Sequence, residues 1–187
     1  MKHTKIDLAE MSNLVSHGYL IIDIEPDNSG KHLYWLHINH YDANHNLVKQ
    51  SDFTSLDNVN QTKQLLLLRT LDKAYSKLAL PIDKVSRQLK SYLNKAELVD
   101  LPIIGYSVTQ VDLPIMSELL PNYDRPIYDL ASTYASATGE NNIKLTTLAH
   151  QLSLGTSPKQ SANNHNPVQD VELTQIVLKG ILALSEL

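Results

Sequence analysis

The stretch Tyr19-Leu20-Ile21-Ile22-Asp23-Ile24-Glu25 is an apolar, strand-like run that ends in two carboxylates. Desolvating a carboxylate beside apolar residues is costly unless a cation or a partner neutralises it. Asp23 and Glu25 are two residues apart, so in a strand both leave the same face. Side by side they raise one another's pKa unless a cation sits between them. Hard oxygen donors, in a chain with no cysteine, suit Mg²⁺ or Mn²⁺ better than zinc. Taken alone, however, Asp-x-Glu fits an exposed strand end more readily than a metal site.

The elements around this run predict a mixed α/β fold. Before it, Leu8, Met11, Leu14 and Val15 recur at helical spacing over 6–17, and Gly18 is placed to stop that helix. After it, Asp27-Asn28-Ser29-Gly30 reads as a turn. His32 to Tyr41 reads as a second strand, Asp42 to Asn46 as a turn, and Leu47 to Phe53 as a third strand. Helical periodicity then covers 60–78 and 81–94. Short strands are expected at Pro102–Gly105 and Arg125–Leu130, with a helix near 111–120 between them and Asp129 able to cap the next one. A further helix carries Leu145, Leu148, Ala149 and Leu152, residues 155–166 read as a loop, and the last helix starts near Pro167. Three antiparallel strands followed by strands alternating with helices define an α/β class with a mixed sheet. One domain over 1–187 is expected, since nothing in the chain repeats and no linker divides it.

The start of the last helix carries more information. In Asn166-Pro167-Val168-Gln169, Asn suits the cap, Pro the first helical position and Gln the third, as in a capping box. His165 is thereby expected in the preceding loop and Asp170 in the first turn, an arrangement that suits a mobile general base beside a fixed metal ligand. Separately, these two read more simply as a solvent-facing histidine and a carboxylate that complements the helix dipole. The same holds for Asp112, which with Pro114 opens another helix.

Bulk properties exclude little. The formal charge is −4, from 20 acidic and 16 basic residues, which argues against a protein that coats nucleic acid through a broad basic face. An enzyme gripping a few nucleotides at one end is compatible with it. One Trp, one Phe and nine Tyr give poor support to a general single-strand-binding protein. No secretory signal is visible, and no run reaches the roughly 20 apolar residues of a membrane span; a cytoplasmic protein without a membrane partner is expected. The chain stops at Leu187, directly after its expected last helix, as expected of a stand-alone protein or of a domain excised from a larger one.

Taken together, the acidic positions resemble the motifs of the DnaQ-like, DEDDh family of 3′→5′ exonucleases, which includes polymerase proofreading subunits. Asp23-Ile24-Glu25 is similar to the first motif. Gly105-Tyr106-Ser107-Val108-Thr109-Gln110-Val111-Asp112-Leu113-Pro114 matches the frame of the second, and His165 with Asp170 matches the third. Tyr128-Asp129-Leu130 and Lys144-Leu145-Thr146-Thr147-Leu148-Ala149 look like two intervening segments, so the resemblance spans about residues 18–186. Pro26 stands where the family commonly has Thr, Tyr106-Ser107 where it has His-Asn, and Val111 where it has Phe.

The resemblance implies an RNase H-like sheet, three antiparallel strands then two parallel ones, flanked by helices. It implies two divalent cations, Mg²⁺ or Mn²⁺, held by Asp23, Glu25, Asp112 and Asp170, with His165 as the base. Pro26, Tyr106 and Ser107 take the substrate-positioning places. The implied activity is hydrolysis at the 3′ end of single-stranded DNA or RNA, releasing nucleoside 5′-monophosphates. The alternative is a weakly active or inactive subunit that binds a DNA polymerase or another replication or repair protein. Among other signals, His32, His37, His40 and His45 read as a surface hairpin in preference to a zinc site. Gln151-Leu152-Ser153-Leu154 faintly resembles a sliding-clamp-binding motif but reads as core, and Lys84, Arg87, Lys90 and Lys95 read as a solvated helix face.

Overall fold

In the computed structural model, which describes all residues except 5, 58, 61–62, 64–79, 154–165 and 185–187, twelve elements are named here. In chain order they are β1 (Lys2–Thr4), α1 (Leu8–Val15), β2 (Tyr19–Pro26), β3 (Leu33–Tyr41), β4 (Leu47–Thr54), α2 (Ile82–Leu93) and β5 (Ile103–Gly105). There follow α3 (Asp112–Leu119), β6 (Pro126–Asp129), α4 (Leu130–Thr138), α5 (Leu145–Leu152) and α6 (Pro167–Leu184). The helix expected over 60–78 and the loop over 155–166 fall almost wholly outside the described residues.

The strands form one sheet in the order β1-β6-β5-β2-β3-β4. β2, β3 and β4 are an antiparallel meander, and β5 and β6 run parallel to β2, the mixed RNase H-like arrangement that was expected. A sixth strand was not foreseen. Lys2–Thr4 pairs in parallel with β6 at the sheet edge; three mostly polar residues show no periodicity, and only the distant partner makes them a strand.

Alternation along β2 sorts the core into two layers. Leu20, Ile22 and Ile24 face α2 and α3, packing with Val85, Leu89, Leu93, Ile115 and Met116. Tyr19 and Ile21 face the other way, against Met11 and Val15 of α1, Leu148 and Ala149 of α5, and Val171, Val177, Leu178 and Ile181 of α6. Because both faces are covered, β2 is apolar up to Asp23 and β3 is buried almost throughout, its polar His37 and Asn39 included. The edge strand β4 departs from this, with Leu47 and Val48 exposed.

Local chemistry sets the ends of the helices. Asp7 and Glu10 form a reciprocal capping box at α1, and Gly18, at φ +103°, follows it into β2. A Cβ at Gly18 would stand 2.7 Å from the carbonyl oxygen of Tyr41, so both conformation and space require glycine there. Lys84, Arg87, Lys90 and Lys95 lie exposed on or just after α2, the solvated face expected of them. Among the described residues no helix is long and apolar enough to cross a membrane.

The histidine-rich strand is where the structure corrects the sequence reading. β3 is not a surface hairpin; it lies second from one edge, between β2 and β4 and under α6, and His37 is only 2% exposed. Its Nδ1 lies 2.7 Å from Asp52 Oδ1, which supplies the partner that lets an imidazole be buried.

Candidate metal centre

The carboxylates of Asp23, Glu25 and Asp170 converge, each offering an oxygen within 4.8 Å of those of the other two. Residues nearly 150 apart in sequence meet here because α6 packs across β2, placing its first turn over the end of the strand. Asn166 caps α6 and Pro167 opens it, as the sequence suggests. The Asn166 side chain accepts from the N–H of Val168 at 3.1 Å, the second helical amide instead of the third that a capping box uses. Asp170 is thereby fixed in the first turn, its own N–H bonded to the Asn166 carbonyl.

Asp112 approaches from the other layer. It opens α3, is 6% exposed, and its Oδ1 accepts the Ile24 N–H at 3.0 Å. It stands beside the triplet, close enough for its charge to act on Asp23.

The electrostatics of the group are unfavourable without a cation. Burial first, then the charges of Asp112, Asp170 and Glu25, hold the Asp23 carboxyl well above the usual carboxylate range. Burial likewise pushes Asp112 up to about 7; hydrogen bonds from its own amide and that of Ile24 pull the other way, and Glu25 and Asp129 add repulsion. A divalent cation among these oxygens would reverse the sign of each repulsive contribution. The donor set of oxygen atoms fits a hard cation such as Mg²⁺ or Mn²⁺.

The remaining candidates surround this cluster. Pro26 ends β2 at a register shift after Glu25, and its carbonyl accepts the Lys63 ammonium. Tyr106 and Ser107 follow β5, whose Ile104 pairs with Ile21; Tyr106 is therefore level with Asp23 on the neighbouring strand. The Tyr106 hydroxyl donates to the Ile143 carbonyl at 2.5 Å. Ser107, at φ +55°, donates its N–H to Asp129 Oδ1 at 2.8 Å. A Cβ on Gly105 would meet Val108 Cγ1 at 2.4 Å, so glycine leaves room for Val108 to pack back against the end of β5. Tyr106 and Ser107 line a cavity of about 150 Å³ with Ser132, Tyr134, Glu140 and Ile143 among its walls. His165 lies outside the described residues.

Sequence reasoning missed the ladder behind the cluster. Asp23 pairs in register with His37, and His37 with Asp52, so three strands place these side chains in one row on one face. Trp35 Nε1–H also donates to Asp52 Oδ1, at 2.8 Å. The available signal was a strand-borne histidine followed, after a turn, by an acidic residue at hairpin register.

No protein-family model matches the chain, and no curated protein matches its sequence. Its fold is that of several solved structures. The RNase domain of the yeast Pop2 protein is similar with a TM-score of 0.61 at 20% identity, over 96% of this chain and 82% of that one. Yeast CAF1, co-crystallised with the NOT1 MIF4G domain, is similar at 0.57 and 17%, over 96% and 83%. Pop2p of S. pombe, in a Mg²⁺- and Mn²⁺-bound form, is similar at 0.55 and 13%, over 92% and 86%. At these identities the likeness establishes the fold of the chain alone, an RNase H-like mixed sheet flanked by helices.

Proposed function

We propose that this chain is a metal-dependent 3′→5′ exonuclease of the DnaQ-like, DEDDh type, one domain over 1–187 acting on single-stranded nucleic-acid ends. The observation that carries this reading is the convergence of Asp23, Glu25 and Asp170 with Asp112 beside them, on a fold similar to an RNase domain. The Mg²⁺- and Mn²⁺-bound form of the S. pombe Pop2p neighbour supports the choice of cation.

In this reading Asp23, Glu25, Asp112 and Asp170 hold two divalent ions. When bound, such ions stabilise charge on the attacking and leaving oxygens of a phosphodiester. His165 accepts the proton of the attacking water. Tyr106, Ser107 and Pro26 orient the terminal nucleotide, with Ser107 held by Asp129 and Pro26 by Lys63. The products are nucleoside 5′-monophosphates. One observation favours the alternative, a weakly active subunit of a nucleic-acid machine: the Tyr106 hydroxyl is already committed to Ile143.

Digestion of 5′-labelled single-stranded DNA and RNA with Mg²⁺ or Mn²⁺, beside the Asp23→Ala/Glu25→Ala double variant, tests the proposal. A ladder shortening from the 3′ end, absent in the variant, is expected. No shortening by folded, metal-binding protein would favour the subunit.

A further inference from the structure

His37 stands out among the buried polar groups. It is 2% exposed, its Nδ1 is held by Asp52 at 2.7 Å, and its Nε2 is buried without a hydrogen-bond partner among the described residues. Buried polar atoms are nearly always paired, so an orphan beside a functional cluster calls for an explanation.

Position supplies one. His37 lies between Asp23 on β2 and Asp52 on β4 in the same register row. Asp52, an acceptor when ionised, takes the proton of Nδ1, and in a neutral imidazole Nε2 then carries the lone pair. The two nitrogens point to opposite sides of the ring. Because Nδ1 is engaged by Asp52 on β4, the ring leaves Nε2 for the β2 side, on which the register partner of His37 is Asp23. The charged neighbours of this imidazole in its register row are Asp52 from β4 and Asp23 from β2.

We propose that His37 and Asp52 form a positioning pair for the metal centre, Nε2 accepting a hydrogen bond from water in the hydration shell of the cation bound at Asp23. The ligand class is a hydrated divalent cation. Mg²⁺ dehydrates reluctantly and keeps several waters when bound, so an acceptor set one layer back orients it without displacing them. Asp52 acts through His37, and Trp35 Nε1–H, bonded to the same Asp52 oxygen, keeps that carboxylate in place. The inference rests on reading the acidic cluster as a metal centre.

The test is calorimetric titration of the cation-free protein with Mn²⁺. His37→Phe keeps a ring and removes the acceptor, and is expected to weaken binding on the order of 10–100-fold, as loss of an outer-shell partner does. His37→Gln places an amide oxygen near the position of Nε2 and is expected to restore affinity to within a few-fold of the parent. Wild-type affinity in the Phe variant, or equal weakness in the Gln variant, overturns the proposal. A direct readout on the unaltered protein needs no variant to fold. The ¹⁵N–¹H imidazole spectrum is expected to show the Nδ1–H tautomer of His37, with the Nε2 resonance shifting on Mg²⁺ saturation. An Nε2–H tautomer, or no shift, refutes it. Asp23→Asn separates the two levels: if it binds Mn²⁺ as the parent does, the metal-centre reading falls and the proposal with it. Lost binding there with full affinity in His37→Phe overturns the positioning role alone.

Discussion

The Asp112 side chain accepts the main-chain N–H of Ile24 at 3.0 Å, the residue between Asp23 and Glu25. Ile24 itself points into the α2–α3 layer, so this bond ties the start of α3 to the strand that bears the acidic pair. It holds the two carboxylate-bearing layers together at the cost of bringing a fourth acid close to the other three.

That arrangement gives the cation-free protein an unusual pH dependence. Asp112 in the folded chain titrates near 7, against 3.8 for the unconstrained group, and Asp23 is shifted in the same direction. Between those two values the folded state binds more protons than the unfolded one, so stability falls as pH rises. Melting temperature in EDTA is expected to decline from pH 4 towards pH 7. With saturating Mg²⁺ the slope should flatten, because the cation favours the ionised form. Equal slopes with and without the metal would contradict the electrostatic account.

Removing one charge should separate stability from chemistry. Asp23→Asn relieves repulsion from Asp112, Asp170 and Glu25 while keeping the volume of the side chain. Thermal melts in EDTA at pH 8 are expected to rise, by about 2–4 °C for each kcal/mol relieved, while turnover with Mg²⁺ is nearly abolished. A variant that melts lower than its parent in EDTA would show that Asp23 stabilises the fold.

Much of the site follows rules that act within a few residues. The alternation of Tyr19 to Glu25 and the Asn166-Pro167 helix start are local signals, and they place Asp23, Glu25 and Asp170 on the elements where the structure has them. Non-local contacts were not legible. Lys2–Thr4 becomes a strand only by pairing with β6, more than 120 residues away. The burial of His37 depends on Asp52 across a hairpin and on the cover of α6, neither visible in the run His37-Ile38-Asn39-His40. The positive φ of Ser107 goes with the bond from its N–H to Asp129, a residue far along the chain; from sequence, Tyr106-Ser107 was simply a departure from a motif.

Asp129 serves two segments at once. Its Oδ1 accepts the Ser107 N–H at 2.8 Å and the Ala131 N–H at 3.0 Å, capping α4 and fixing the turn after β5. Asp129→Ala leaves the Ser107 turn amide without its acceptor and a helix without its cap, each worth about 1 kcal/mol. Urea unfolding is expected to lose roughly 1–3 kcal/mol by that arithmetic, and Asp129→Asn, which keeps one acceptor oxygen, less. A loss below about 0.5 kcal/mol, the range of an ordinary surface substitution, would mean that neither bond matters.

The packing of α6 sets where Asp170 stands, and at Gly180 this helix lies tightly against Leu152 of α5. A Cβ there would lie 2.5 Å from Leu152 Cβ and 3.2 Å from Leu152 Cγ and Cδ1. Two effects oppose each other in Gly180→Ala. Alanine is the better helix former by about 1 kcal/mol, whereas overpacking a tight contact costs about 1–3 kcal/mol. The nearest atom is a Cβ, which cannot swing aside by rotating a side chain, so the helices themselves must separate and overpacking wins. The variant is expected to be less stable in urea. Because α6 also carries Asp170, it should bind Mn²⁺ more weakly than the parent although it touches no carboxylate. Higher stability with unchanged Mn²⁺ affinity would show that α5 and α6 have room to spare and that the position of Asp170 does not depend on their contact.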